Sequence, residues 1–211
     1  MKLTKYEHSC LILTKGDATL VIDPGTFTTP LSDVDGVVAI VITHEHPDHW
    51  TPEQLTRLLD RNPNARILGP AGVAAAAAGF TVETVTGGDT VEVGPFTLAF
   101  FGEKHAVIHS SIPIVDNVGV LVNDRYYYGG DSYTQPDRSV EVLAAPCGAP
   151  WLTIGDAMDY VLAVAPRRAF AVHDAPLSEF GIGMHRARLR WATEQGGGEF
   201  VELEPGDVLT I

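Results

Sequence analysis

Short apolar runs, many of them rich in β-branched residues, recur along the chain between turn-forming residues. This pattern predicts a protein built from many short strands. The unbroken run 37–42 is typical of a strand buried on both faces, and residues 15–17 form a hairpin-turn signal between two other runs. Strands are predicted at 9–14, 19–22, 37–42, 66–70, 81–85, 89–93, 96–101, 117–122, 126–128, 169–172, 199–203 and 208–211.

The helical spacing of leucines predicts a helix over 52–60, in which Thr51 is the N-cap, Pro52 takes the first position and Gln54 closes a capping box. Further helices are predicted at 71–78, 153–164 and 184–195, the last one basic and amphipathic. Because each half of the chain contains hairpins followed by β-α units, we expect an α/β fold. The expected form is a four-layer αββα sandwich of two mixed β-sheets with helices on the outer faces. The prediction is a single domain over residues 1–211.

Of the 211 residues, 45% are hydrophobic and 19% are charged, as in globular proteins. The 27 acidic and 14 basic residues give a formal charge of −13, which argues against nucleic acid or an anionic membrane as the partner. We therefore expect a small-molecule substrate, no nucleic acid and no membrane, and leave a homo-oligomer open. The N-terminus lacks an apolar signal region, and Cys10 and Cys147 are expected to be buried thiols, so the predicted location is cytoplasmic.

The stretch 43–50 reads Thr-His-Glu-His-Pro-Asp-His-Trp and lies between the buried strand 37–42 and the first predicted helix. In α/β proteins, ligands bind at such an edge. Imidazole and carboxylate groups are the usual ligands of zinc and related metals. His44 and His46 can converge on one ion, while Asp48 and His49 are placed to reach a second. Solvated loop histidines are the alternative, but crowding so many titratable groups together without a metal is costly.

The pattern T-H-x-H-x-D-H after a buried strand resembles the signature of the metallo-β-lactamase fold hydrolases. Other elements that resemble this family follow in order and cover nearly the whole chain: a strand before His105, the sequence Gly129-Gly130-Asp131-Ser132, and a short strand before His173. The resemblance implies that one metal is held by His44, His46 and His105, that a second is held by Asp48, His49 and His173, and that Asp131 bridges the two. His109 competes with His105 for the third position, and the choice stays open.

The resemblance also implies the chemistry. It implies two divalent metal ions, Zn²⁺ first with Mn²⁺ and Fe²⁺ as alternatives, and a metal-bridging hydroxide that hydrolyses an ester, lactone, amide or phosphoester of a small molecule. Asp48 and Asp131 are the residues expected to take part in catalysis. The stretch from His105 to Asp131 resembles a branch of small hydrolases that includes ascorbate-phosphate lactonases. Alternatives are an iron-dependent, dioxygenase-like oxidoreductase on the same fold, a nuclease, and a non-catalytic metal-binding protein.

A further set of residues is expected to support the ligands from behind or to line the pocket: His8, Asp23, His109, Tyr128 and Ser132. Asp23 ends a predicted strand in Asp-Pro-Gly, so it either forms a simple turn or orients a ligand histidine. His8 is either a packed or surface histidine or, as in relatives of this fold, lies near the cleft. Tyr127, Tyr133 and Trp151 suit the core and the pocket equally well.

Overall fold

The strands predicted from short apolar runs assemble into two seven-stranded mixed β-sheets in the computed structural model, which describes residues 1–211. In chain order they are β1 (Lys2–Lys5), β2 (Leu11–Lys15), β3 (Ala18–Ile22), β4 (Val37–Val41), β5 (Arg66–Gly69), β6 (Val82–Thr84), β7 (Thr90–Val93), β8 (Phe96–Phe101), β9 (Gly119–Val122), β10 (Tyr126–Tyr128), β11 (Val142–Pro146), β12 (Arg168–Val172), β13 (Glu199–Phe200) and β14 (Val208–Thr210). The first sheet has the order β14-β1-β2-β3-β4-β5-β6 and the second β13-β12-β11-β10-β9-β8-β7.

Four helices cover the sheets: α1 (Pro52–Arg61), α2 (Ala71–Ala76), α3 (Ile154–Val164) and α4 (Glu179–Gln195). Alternating strand residues form one apolar cluster between the sheets, which includes Leu20, Phe100 and Phe170. A second cluster joins the second sheet to α3 and α4, and a third joins the first sheet to α1 and α2. The predicted αββα layering is therefore confirmed. None of the helices combines the length and apolar character that a membrane span needs.

The sequence analysis did not predict two of the strands. In β1 the inward positions are Leu3 and Lys5, and a fully buried lysine breaks the apolar pattern. The Lys5 ammonium is instead neutralised by Asp174, whose carboxylate lies 3.2 Å away. The other missed strand, β11, is entirely buried but short, alanine-rich and ended by a proline. Neither strand therefore carries the local signal on which strand prediction depends.

The last helix begins earlier than predicted. Helix α4 starts at Glu179 rather than at 184, because the Ser178 hydroxyl accepts a hydrogen bond from the Gly181 N–H and caps the helix. Gly181 and Gly183 lower the helical propensity of this first segment, which hid it from the sequence pattern. The strand predicted over 199–203 is reduced to β13, and the predicted burial of both cysteines as free thiols is confirmed.

The capping box predicted for α1 is only half formed. The Gln54 N–H donates to the Thr51 hydroxyl as expected, at 3.1 Å. The Gln54 side chain points elsewhere, because its oxygen accepts from the Leu31 N–H and its amide nitrogen donates to the carbonyls of Thr28 and Thr29. A buried loop needs partners for its backbone groups, and this need outweighs the capping contact.

Strand direction places many candidate residues at one edge. Strands β1, β3 and β4 run in the same direction in the first sheet, because β1 and β3 are both antiparallel to β2 and β4 is parallel to β3. The same reasoning shows that β8, β10, β11 and β12 share one direction in the second sheet. The carboxyl ends of these strands lead to His8, Asp23, the 43–50 loop, His105, Asp131, Trp151 and His173.

We expect Phe170→Ala to lower the free energy of unfolding by about 3–5 kcal/mol, because it empties a fully buried site between the sheets. The matched control is Phe180→Ala, at a side chain on α4 that is 79% exposed. This control should change the free energy of unfolding by less than about 0.5 kcal/mol. Urea unfolding of both variants measures the difference. Equal losses would contradict the assignment of the inter-sheet core.

Candidate metal centre

The 43–50 loop is held by close backbone packing against the turn that follows β3. A Cβ atom at Gly25 would lie 1.8 Å from the carbonyl oxygen of Asp48, so this position accepts no side chain. The Thr26 N–H donates to the Pro47 carbonyl at 3.0 Å. On the other side, the Val118 N–H donates to the Thr43 carbonyl and ties the loop to the second sheet.

Histidine and carboxylate side chains converge in three overlapping groups, and within each group the ligand atoms lie within 4.8 Å of one another. The groups are His44, His46 and His105; His8, Asp48, His49 and His173; and His44, His49 and Asp131. Two shared residues, His44 and His49, join the third group to the other two. The structure thus brings together every residue named as a metal ligand from the sequence.

Four histidines use Nδ1 for hydrogen bonds, which leaves Nε2 of each ring without a partner. The Nδ1 atoms of His105 and His173 donate to the carbonyls of Ala106 (2.5 Å) and Gly148 (2.6 Å). The Nδ1 atoms of His49 and His44 contact Asp23 (2.6 Å) and the Thr43 hydroxyl (3.1 Å).

In each ring Nε2 is buried, has no hydrogen-bond partner and faces the cluster. A neutral imidazole that donates from Nδ1 presents a lone pair at Nε2, which is the arrangement that a metal ion requires. The donor set therefore fits divalent cations that prefer nitrogen and carboxylate ligands.

Asp23 orients two of these rings from behind. Its carboxylate is fully buried and accepts from the Thr43 N–H (2.8 Å), the Thr43 hydroxyl (2.7 Å) and His49 Nδ1. Because the Thr43 hydroxyl gives its proton to Asp23, its oxygen is free to accept from His44 Nδ1. Of the two readings of Asp23 left open by the sequence, the structure therefore shows the one in which it supports histidines.

The turn that carries Asp131 depends on Gly130 and Asn117. Gly130 has a φ of +62°, and a Cβ atom there would lie 2.4 Å from the Asn117 side-chain oxygen. That oxygen accepts from the Asp131 N–H at 3.0 Å, while the Asn117 amide nitrogen donates to the Gly129 carbonyl at 2.9 Å. The buried asparagine thus fixes the path of the turn and the direction of the Asp131 side chain.

His8 and His173 are linked through their backbones and both adopt left-handed conformations, each with a φ of +59°. The His173 N–H donates to the His8 carbonyl at 3.0 Å. The His8 ring accepts at Nδ1 from the Ala175 N–H, so its proton is on Nε2 and is donated to the Asp48 carboxylate at 3.1 Å. His8 is 1% exposed and therefore supports Asp48 as a packed residue at the cluster.

The charges of the cluster shift the pKa values of its members. Burial alone lowers the pKa of His173, but the negative charges of Asp131 and Asp48, whose carboxylates lie 3.1 Å and 3.5 Å from Nε2, outweigh it and raise the value to about 10. Burial likewise opposes ionisation of Asp131, yet the nearby His49 and His173 hold the pKa of that carboxyl well below its usual range. Burial and neighbouring imidazoles keep the pKa of His44 low.

Some predicted residues lie away from the cluster. His109 is exposed, and its Nδ1 contacts the Ser111 hydroxyl at 2.7 Å, so the structure brings His105 rather than His109 into the centre. Tyr128 packs in the core between the sheets and does not line a pocket, because β10 directs it inward.

The Ser132 hydroxyl donates to the Gly129 carbonyl and supports the Asp131 turn. His185 on α4 is partly buried, and its Nδ1 donates a hydrogen bond to the Cys147 carbonyl.

The sequence analysis missed the roles of Thr43, Asn117 and Trp151. The Trp151 indole N–H donates to the Asp131 carboxylate at 2.8 Å. Thr43 and Asn117 each lie next to a strand end, where a polar residue inside an apolar run is a usable signal. The role of Trp151 has no such signal in the sequence, because its partner Asp131 is 20 positions away along the chain.

The chain matches the model of a protein family described as beta-lactamase superfamily domain over residues 2–173. It is 39% identical to protein Rv0786c of Mycobacterium tuberculosis over the full length of both chains. It is 29% identical to a UPF0173 metal-dependent hydrolase of Aeropyrum pernix, over 62% of this chain and 61% of that one.

Solved structures share the architecture at low sequence identity. Igni18, a metallo hydrolase from Ignicoccus hospitalis, gives a TM-score of 0.75 at 18% identity, with 100% of this chain and 97% of that one covered. The metallo-beta-lactamase fold protein YhfI from Bacillus subtilis gives 0.68 at 18%, with 99% and 98% covered. CmlA, a diiron β-hydroxylase from Streptomyces venezuelae, gives 0.76 at 16%, and the match spans 54% of its chain. These likenesses establish the fold.

Replacing Asp23 by asparagine should weaken divalent-cation binding about 10–100-fold, because the buried anion that holds His49 and the Thr43 hydroxyl is lost. Competition with a chromophoric chelator measures the affinity. The control is Asp33→Asn, at a side chain that is 97% exposed and lies beside Arg61 rather than in the histidine cluster. An Asp23→Asn protein that binds cations as tightly as wild type would contradict the supporting role.

A cation at Nε2 of His173 must displace the proton that Asp131 and Asp48 stabilise there. Because the pKa of His173 is raised to about 10, cation binding at neutral pH should release protons, and affinity should increase from about pH 6 to about pH 9. Calorimetry in buffers of different ionisation enthalpy counts the released protons. Binding that neither releases protons nor depends on pH would contradict this coupling.

Proposed function

Because this chain belongs to the beta-lactamase superfamily, we propose that it is a metal-dependent hydrolase that holds two divalent cations, Zn²⁺ first, and cleaves an ester, lactone, amide or phosphoester of a small molecule. The resemblance inferred from the sequence is confirmed at the level of the superfamily, while the narrower likeness to ascorbate-phosphate lactonases stays a prediction. Relatives named metal-dependent hydrolases support the proposal. The observation that carries it is the set of buried Nε2 atoms without partners around Asp131.

The donor atoms divide naturally between two cations. We assign His44, His46 and His105 to one and Asp48, His49 and His173 to the other, with Asp131 shared. Asp131 supports this division because its Oδ2 lies 3.3 Å from His105 Nε2 and 3.1 Å from His173 Nε2, while its Oδ1 lies 3.3 Å from His49 Nε2. One buried carboxylate thus faces nitrogen donors of both sets.

If these residues hold two divalent cations, the ions would lower the pKa of a bound water toward neutral and would act as a Lewis acid for the carbonyl or phosphoryl oxygen of the substrate. Asp48 is the carboxylate that solvent and substrate reach, since 26% of its side chain is exposed against 4% for Asp131. Although burial opposes ionisation, the neighbouring His173 imidazole and a hydrogen bond from His8 keep the pKa of Asp48 below its usual range. Asp48 is therefore ionised, and it orients the attacking water by accepting a hydrogen bond from it.

A cavity beside the cluster has the size for a small-molecule substrate. This cavity of about 300 Å³ borders His8, and its lining combines apolar residues such as Phe27 and Leu177 with the charged side chains of Glu7, Asp174, Arg186 and Glu204. Cavities of this size accommodate small molecules. The formal charge of −13 repels polyanions, so a nuclease activity is disfavoured and no nucleic-acid partner is proposed.

An iron-dependent oxidoreductase is the competing function, because the histidine and carboxylate donors also suit iron and CmlA shares the fold. The identity of the bound metal separates the two. A hydrolase retains two ions of Zn²⁺ or Mn²⁺ and turns over without oxygen. Iron as the native metal, with product formed only when oxygen is consumed, would replace the hydrolase proposal.

Elemental analysis of the purified protein, beside a panel of lactones, esters, amides and phosphoesters, tests the proposal. We expect about two ions per chain and, for Asp131→Asn, a fall in kcat/KM of at least about 100-fold with reduced metal content. The matched control is His109→Asn, at an exposed histidine outside the cluster, which should keep both values. A wild-type protein that takes up no divalent cation would contradict the proposal.

A further inference from the structure

Trp151 contacts the Asp131 carboxylate directly. It lies in the turn between β11 and α3, is 8% exposed, and donates its indole N–H to Oδ2 of Asp131 at 2.8 Å. The other oxygen of the same carboxylate, Oδ1, is buried and has no hydrogen-bond partner. The indole therefore distinguishes the two oxygens of a carboxylate that sits at the centre of the cluster.

The oxygen that Trp151 contacts is the one that faces both donor sets. Oδ2 lies within 3.3 Å of Nε2 of His105 and 3.1 Å of Nε2 of His173, whereas Oδ1 lies beside His49. Rotation about the Cβ–Cγ bond of Asp131 would exchange these positions. The indole N–H opposes that rotation, because it would lose a buried hydrogen bond to a charged acceptor.

Trp151 is itself held firmly. Its ring packs edge-on against Tyr133 at 5.2 Å and His105 at 5.9 Å between centroids. The same turn supplies the Gly148 carbonyl that accepts from His173 Nδ1. One short segment, 148–151, thus fixes His173 through its backbone and Asp131 through a side chain.

The chemistry of the donor also fits the location. A lysine or arginine in this place would orient the carboxylate equally well, but its charge would oppose a cation a few ångströms away. The indole N–H is a neutral donor with no acceptor atom, so it binds the carboxylate without competing for the cation. A carboxylate offers about four lone-pair sites, and the indole occupies one of them.

We propose that Trp151 is a positioning residue that fixes the rotation of the Asp131 carboxylate so that Oδ2 faces the nitrogen donors of both sets. The assignment of two cations rests on the proposed function, while the hydrogen bond itself does not. Trp151 acts through Asp131 and is not assigned a contact with the substrate.

The indole N–H signals provide a readout that does not depend on activity. The chain has three tryptophans, so ¹⁵N labelling gives three indole resonances, and Trp151→Phe identifies the one from Trp151. We expect this resonance to move when Zn²⁺ is added and also to move in Asp131→Asn before any metal is added. The exposed Trp191 provides the internal control and should respond to neither change.

Trp151→Phe retains an aromatic ring but loses the N–H group, and we expect it to bind Zn²⁺ about 10–100-fold more weakly. Trp191→Phe is the matched control and should leave the affinity unchanged. Unshifted resonances of Trp50 and Trp191 in Trp151→Phe show that the variant is folded, and calorimetric unfolding gives a second check.

The outcomes separate the two proposals. Wild type that takes up two ions, together with an unmoved Trp151 resonance and a Trp151→Phe affinity within about twofold of wild type, would overturn the positioning role and leave the hydrolase intact. Wild type that takes up no cation would overturn both. Two-ion uptake with a moved resonance and weakened Trp151→Phe binding supports both.

Discussion

The buried negative charge of Asp23 is the constraint on which the arrangement of the site depends. A carboxylate removed from water is costly unless donors surround it, and all three donors come from the 43–50 loop. The loop therefore has to approach the end of β3 closely, which the absence of a side chain at Gly25 permits. The same hydrogen bonds set the tautomers of His44 and His49. Charge burial, loop path and ligand orientation are thus three aspects of one interaction.

The remaining donors reach the cluster because two sheets present equivalent edges to each other. The first sheet contributes a loop rich in ligands, and the second contributes single residues after separate strands. Two backbone hydrogen bonds cross between the edges, from Val118 to Thr43 and from His173 to His8. The relative position of the sheets, which the inter-sheet core sets, therefore determines whether the donors meet.

The parts of the structure that sequence predicts are those with a local cause. The hydrophobicity of the run 37–42 is enough to predict a strand, and the hydroxyl of Thr51 is enough to predict a helix cap. The density of histidines in the 43–50 loop is enough to predict a metal site. What remained hidden involves distant partners. β1 depends on Lys5 meeting Asp174, and the side chain of Gln54 serves a loop more than twenty residues before it. The choice between His105 and His109 was open for the same reason, since each histidine follows the same strand and only the path of the turn brings one inward.

The left-handed backbone at His8, Asp23 and His173 has a consequence for how the protein persists in the cell. Each such residue costs about 1–3 kcal/mol, and each buried nitrogen without a partner adds a comparable penalty. A native chain is stable by only about 5–15 kcal/mol after all such costs, so relieving even one or two of them changes its stability substantially. Cations that bind only the folded state return free energy by mass action. Metal supply would then govern the survival of the folded chain against proteolysis, and the abundance of the protein would follow the metal status of its surroundings.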